Sequence, residues 1–371
     1  MKSNGPILLA RYLALACLGL IVYASLHPFT GWQVSGVSPL AFLEGGWPRY
    51  WTVFDLAVNI LVYLPLGFLL TLALARVPGR FSAVVLAALI AAATSFALEC
   101  VQVLLPTRVP SNLDLVCNSL GGLLGAALAH RVGPRFFPYW MAWQHRLVAP
   151  LPHAELGLTL LGLWLLIPLS PEILLFGAGD VRSVFDLSGA MPFSPHSSLP
   201  METAVIACNT VAVGLLIRLL TASKRLACFS VPALIGLGLI VRSLSAAVLI
   251  APDQAFSWWT PAVQNGLLAA GLILLPAMFL PVGLRLMLAA LALMCGAVLV
   301  NITPPNPYSA VALASWRQGH FLNFNGLTRL VSILWPFLAL PFLMFTPRRP
   351  AESPDNVSQT RTEHALEPFE Q

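Results

Sequence analysis

The sequence predicts an all-α protein, a polytopic transmembrane helical bundle of about ten spans. Three observations carry that reading. Hydrophobic residues fill 58% of the 371 positions and charged residues only 9%, far below the ~25% charge of a water-facing domain. Ten stretches are apolar over the ~20 residues that a bilayer core requires. Lys and Arg are abundant on alternate connections, as the positive-inside rule demands. The net charge of +5 does not point to nucleic acid, because the basic residues are dispersed among apolar runs and form no stripe.

The spans follow in order. Lys2 and Arg11 accompany the run 8–27, which imitates a signal peptide around Val22-Tyr23-Ala24 but is long enough to span. The second span, 54–75, carries Pro65 and Gly67, which predict a kink. The third and fourth, 82–105 and 113–131, are joined by the short loop Pro106 to Asn112 and so lie antiparallel and adjacent. Gly121 with Gly125, and Gly122 with Ala126, make small-xxx-small faces suited to close helix packing. The remaining spans are 156–176, 201–221, 229–250, 261–281, 285–303 and 327–346, with a tight turn around Pro281 and Gly283. The chain thus divides into a four-helix membrane region at 1–131, a cytoplasmic linker at 132–155, a second membrane region at 156–346 and a polar tail at 347–371, expected to be disordered.

With the N-terminus taken as cytoplasmic, 14 of the 20 Lys and Arg residues fall inside, 5 outside, and Arg242 within a span. Both termini are therefore expected in the cytoplasm. The outer loops, 28–53, 177–200 and 304–326, are longer and rich in aromatic residues and Pro. Trp32, Trp47, Trp51, Trp258, Trp259 and Trp316 fit an interfacial belt.

Polar residues inside the first four spans gather at one depth. Asp55 and Asn59 share a face of the second span, Glu99 and Gln102 of the third, Asp114 and Asn118 of the fourth. The second span enters from outside, the third runs outward and the fourth inward, so all six lie at the outer end. Arg108 projects from the intervening loop at the same level. A charge at the bilayer centre costs ~2.5–3.5 kcal/mol on insertion scales. A repeated cluster therefore marks a site or a set of interhelical hydrogen bonds. Helix-end chemistry offers a structural account of two members: Asn112 as a cap with Asp114 in the first turn, and Asp55 near the start of its helix. It does not cover Glu99, which lies near a helix C-terminus and needs a partner such as Arg108, or a proton.

The second half repeats this polarity. Asp180, Arg182 and Asp186 lie in an outer loop, Glu202 begins a span, Asn209 follows two turns later, and Asn301 ends the ninth span. The next loop holds Asn306, Tyr308, Arg317, His320, Asn323 and Asn325. Arg242, deep in a span, is a site candidate by default, and pairing with Glu202 or Asp180 is an equal structural account. His320 is a candidate acid or base, or a solvated loop residue.

The string FDLAVNILVYLPLGFLL, followed by ALECVQVLLPTRVPSNLDLVCNSLGGLLGA, resembles the VanZ-like family of bacterial membrane proteins. The matching features are Asp55, Asn59, Pro65-Leu66-Gly67, Glu99, Gln102, Arg108, Asp114, Asn118 and Gly121, within residues 10–131. The resemblance implies a bacterial cell-envelope protein of the inner membrane. The founding member of that family is linked to low-level resistance to the glycopeptide antibiotic teicoplanin. The six further helices depart from the shortest members.

No phosphate-binding loop, dinucleotide fingerprint, HExxH or G-x-S-x-G pattern is present. The six cysteines lie in or beside apolar spans without metal-ligand spacing and read as free thiols. No cofactor or metal is expected. Three function classes remain open. One is a non-catalytic factor binding a lipid or lipid-linked glycan at an outer-leaflet polar cleft. The second is an enzyme acting on such a lipid, with Glu99 or Asp114 as general base and Arg108 on an anionic headgroup. The third is a transporter, which should carry midplane polar residues that are sparse here. Each implies membrane lipids or a lipid-linked envelope component as partner.

Overall fold

The computed structural model describes residues 5–34, 36–48, 50–79, 81–170, 173–185, 195–304 and 322–347. Its helices are α1 (Gly5–Leu26), α2 (Ala41–Glu44), α3 (Val53–Ala73), α4 (Ser82–Gln102), α5 (Asn112–Leu147), α6 (Ala154–Trp164), α7 (Arg182–Phe185), α8 (Pro195–Leu220), α9 (Lys224–Leu249), α10 (Pro261–Ala277), α11 (Val282–Ile302) and α12 (Leu322–Phe345). Among the described residues eight helices are long and apolar enough to cross a membrane, and the stretches Ala154–Leu169 and Pro261–Ala277 are shorter apolar helices. The protein is thus an all-α, multi-pass membrane bundle of about ten spans.

In the N-terminal part, α3 and α5 cross at backbone contact because glycine lines the crossing. A Cβ on Gly125 would fall 1.9 Å from the Leu64 carbonyl oxygen, and one on Gly121 would fall 2.3 Å from that of Ile60. From the other side, a Cβ on Gly67 would fall 1.9 Å from the carbonyl oxygen of Gly122. Gly67 is thus also a packing residue, and α3 continues as one helix past Pro65. Between bilayer helices the driving force is contact rather than water exclusion, so small residues give the closest association. Helices α1 and α4 complete the unit around Ile21, Tyr63, Leu66, Ala91, Leu98 and Leu105.

In the C-terminal part, α8 is the central helix, packed against α9, α10, α11 and α6. Trp164, Phe176, Ile206, Leu215, Leu216 and Trp335 form its core, with the Trp335 indole donating to the Leu160 carbonyl at 2.8 Å.

Two connections differ from expectation. Helix α5 does not end with its span but continues to Leu147, across the linker segment. There Val148 bridges Thr221, Ala149 N–H donates to Leu220 and Ala222 N–H to Leu147, at 2.8 and 2.9 Å. The α5 extension and α6, α8 and α9 line an open apolar pocket of about 430 Å³. Conversely, the expected span 156–176 is broken. Helix α6 ends at Trp164, a single 3-10 turn covers Ile167–Leu169, and residues 173–181 pass non-helically through the core. Pro168 opens that turn. Non-helical backbone at membrane depth requires partners supplied by protein, and side chains from α9, α11 and α12 supply them.

Candidate functional site

The N-terminus of α5 organises the polar end of the first four spans. Its cap is Ser111, whose Oγ accepts from the backbone N–H groups of Leu113 and Asp114 at 3.1 and 3.3 Å. The expected cap, Asn112, instead donates from Nδ2 to the Gly45 carbonyl at 2.8 Å, beside α2. The pattern Ser111…Asp114, a hydroxyl followed three residues later by an acid, is the sequence signal for this arrangement.

Each expected site residue then has a definite place. Glu99 is 3% exposed, and one of its carboxylate oxygens accepts the Ser111 backbone N–H at 2.8 Å. An anion at the C-terminal end of α4 opposes that helix's dipole, but here it faces the positive end of α5. Asp114 accepts from Asn59 Nδ2 at 2.7 Å, across the α3–α5 crossing. Asn118 donates from Nδ2 to Ser95 Oγ at 3.0 Å, beside the Tyr63 hydroxyl. Gln102 donates from Nε2 to the backbone oxygen and hydroxyl of Ser25 at 2.9 and 2.8 Å. Asp55 closes a capping box: it accepts from Thr52 N–H and Oγ1 at 3.0 and 2.7 Å, and its own N–H donates to Thr52 Oγ1 at 3.1 Å. It is exposed at the rim of the group.

Arg108 serves a different purpose from the one expected. Its Nε and Nη2 donate to the His27 carbonyl at 3.0 and 2.5 Å, and Nη2 also to the Ala24 carbonyl at 3.0 Å. These are carbonyls at the C-terminal end of α1, which the helix itself leaves unpaired. Burial holds the Arg108 guanidinium below its ordinary pKa. Arg108 therefore locks the α4–α5 loop to α1, and the α5 N-terminus is the partner that Glu99 needed.

The seven residues share one end of the bundle but do not form one hydrogen-bonded network. Among the described residues six local links hold them: Asn59–Asp114, Glu99–Ser111, Asn118–Ser95, Gln102–Ser25, Asp55–Thr52 and Arg108 with the end of α1. Electrostatic reach connects the acids in series, Glu99 with Asp114 and Asp114 with Asp55. The surroundings are rich in acceptors. Asn112 Oδ1 and Asn118 Oδ1 are buried with no hydrogen-bond partner among the described residues. Sequence reasoning missed Ser25, Tyr63, Ser95 and Ser111. Ser95 was findable, being four residues before Glu99 on the same helical face.

The candidates of the second half sit elsewhere. Asp180 and Arg182 form a fork-to-fork pair, Nε to Oδ1 at 2.9 Å and Nη2 to Oδ2 at 2.7 Å, and Arg182 Nη1 donates to the Thr303 carbonyl at 2.6 Å. Burial alone would raise the Asp180 carboxyl. The bonds and charge of Arg182, with Arg329 beyond, outweigh it and hold Asp180 below the usual range. Asp180 is thus the partner of Arg182. Arg242, buried in α9, donates to the carbonyls of Ser170 and Ile173. Ser245 Oγ joins it at Leu169, Asn301 binds Gly179 and Val181, and Ser332 donates to Gly177. Arg242 is explained by the backbone it supports, which neither expected carboxylate pairing anticipated. Glu202 is buried in α8. His320 lies outside the described residues, as do Asp186, Asn306, Tyr308 and Arg317. His27 abuts Gly326 at the start of α12, so the two polar ends lie on the same side of the bundle.

The six cysteines are free. Among the described residues no group of three or more His, Cys, Asp or Glu side chains is placed to hold a metal ion.

No curated protein and no solved structure matches the chain. Residues 12–133 match the VanZ/LLP1 family model, a stretch that takes in most of α1, all of α3 and α4, and the spanning part of α5. It contains every residue of the polar end built around Ser111. The chain is therefore a multi-pass membrane protein whose residues 12–133 match the VanZ/LLP1 family.

Proposed function

We propose that the polar end of α1, α3, α4 and α5 binds the headgroup of a bacterial envelope lipid or lipid-linked glycan without transforming it. One observation carries this reading: acceptor oxygens are buried there without donors among the described residues. Glu99 and Asp114 lie in electrostatic contact, and Asn112 Oδ1 and Asn118 Oδ1 are buried without hydrogen-bond partners among the described residues. Such a group favours a ligand that brings donors, namely sugar hydroxyls or an ammonium. A phosphate is disfavoured at that point, since Arg108 is engaged with the end of α1. The apolar helix walls suit the lipid tail.

On this reading the protein sits in the cytoplasmic membrane with both termini inside, and the site opens to the outer leaflet. Glycopeptide tolerance, where it occurs, follows from altered handling of an envelope lipid. The experiment is mass spectrometry of lipids copurifying with the wild type and with Glu99→Gln and Asp114→Asn. A defined hydroxyl- or amine-bearing lipid, retained unaltered by the wild type and lost from both folded variants, is the expected result. Identical lipid profiles in all three proteins refute the reading.

A further inference from the structure

At the opposite end of the C-terminal part, two arginines are buried side by side. Arg218, near the end of α8, and Arg285, in the first turn of α11, are each 8% exposed. Their guanidiniums are close enough to repel one another. Arg218 is held by backbone: Nε donates to the Met278 carbonyl at 3.2 Å and Nη1 to the Thr221 carbonyl at 3.4 Å. Both oxygens belong to helix C-terminal ends, where a cation is favoured. Arg285 has no such account. Its Nε and Nη1 are buried with no hydrogen-bond partner among the described residues. Among those residues no carboxylate acts on either guanidinium. The α11 N-terminus beside them has no side-chain cap.

Burying one charge without a partner is costly, and burying two like charges together is more so. The unpartnered Nε and Nη1 of Arg285 are cationic N–H donors, the kind from which phosphate oxygens accept. A helix N-terminus adds unpaired N–H groups and a favourable dipole. We propose that Arg218 and Arg285 form a phosphate-binding site, taking either inorganic phosphate or the phosphate of an anionic phospholipid headgroup. The site is separate from the acceptor-rich end of α3–α5 and calls for the opposite chemistry.

The test uses the full-length protein in nanodiscs of phosphatidylcholine alone, or with phosphatidylglycerol, and in detergent with inorganic phosphate or chloride. Thermal unfolding and native mass spectrometry are read for the wild type, Arg285→Gln and Arg285→Lys. A ligand that binds only the folded state raises the wild-type Tm. Gain from inorganic phosphate over chloride assigns a free anion. Gain confined to phosphatidylglycerol, with bound lipid retained, assigns a headgroup. In either case Arg285→Gln should lose the gain, and Arg285→Lys, which keeps the charge but not the guanidinium's several donors, should weaken binding roughly tenfold. Without the anion, Arg285→Gln should be at least as stable as the wild type, because it removes an uncompensated charge. Should Arg285→Gln fail to fold, the wild type and Arg285→Lys decide. No wild-type gain from either phosphate source overturns the proposal, and so does an equal gain in the variants.

Discussion

Replacing Gly125 by Ala tests whether the α3–α5 crossing holds the polar end together. The new methyl would lie 1.9 Å from the Leu64 carbonyl oxygen, 2.8 Å from its carbon and 2.9 Å from Phe68 N. All three are backbone atoms, so no side chain can step aside. Ordinary contact begins at 3.4 Å, about 1.5 Å further out, and the helices must separate by nearly that much. The Asn59–Asp114 bond, 2.7 Å long, spans the same crossing and would stretch to about 4.2 Å, beyond hydrogen-bond range. Overpacking costs ~1–3 kcal/mol. An interhelical hydrogen bond in a bilayer contributes ~0.6–2 kcal/mol. Alanine's better helix propensity returns ~1 kcal/mol. The net expectation is a loss of ~1–4 kcal/mol. Gly271→Ala in α10 is the control, because its Cβ meets nothing within 4 Å and only the propensity gain remains. Unfolding of both variants in mixed micelles, followed by helical circular dichroism, gives the comparison. If Gly125→Ala proves as stable as Gly271→Ala, the backbone-contact account of this crossing is wrong.

Two further predictions concern the bundle beyond that crossing. Arg242→Met should destabilise by ~2–6 kcal/mol in the same assay, at ~1–3 kcal/mol for each of the buried carbonyls at Ser170 and Ile173 that it strips of a donor, whereas Arg242→Lys should lose less; an unaffected Met variant would exclude Arg242 as the support of the broken span. His27 is held below the ordinary histidine value by burial and then by the charge of Arg108, so its neutral form is favoured in the fold. Its contribution is complete above about pH 6.5 and is lost as the pH falls from there toward the folded value. Tm measured from pH 7.5 downward should show that slope in the wild type and a shallower one in His27→Asn.

Much of the fold and part of the site were legible in the sequence, because bilayer constraints act on local composition. A run of apolar residues has one stable option in hydrocarbon, a helix that satisfies its own backbone, so the spans could be read along the chain. Three- and four-residue spacings put Asp55 with Asn59, Glu99 with Gln102, and Asp114 with Asn118 on shared faces, and short loops brought those faces to one end. Gly121 and Gly125 declared a close packing face. Partners were not legible, since they depend on which backbone groups of other helices lie within 3 Å. Glu99 finds the Ser111 N–H rather than Arg108, and Arg108 finds carbonyls of α1 some eighty residues earlier. Gly67 reads along the chain only as the neighbour of Pro65, and its backbone contact with Gly122 is visible only in the tertiary structure. Arg242 reads as an unmatched charge until the break after α6 exposes carbonyls for it to bind. Composition, acting residue by residue, determined that this chain crosses a membrane and where most of its spans lie. The tertiary structure decided which polar atoms meet, because a hydrogen bond depends on distance between helices and not on distance along the chain.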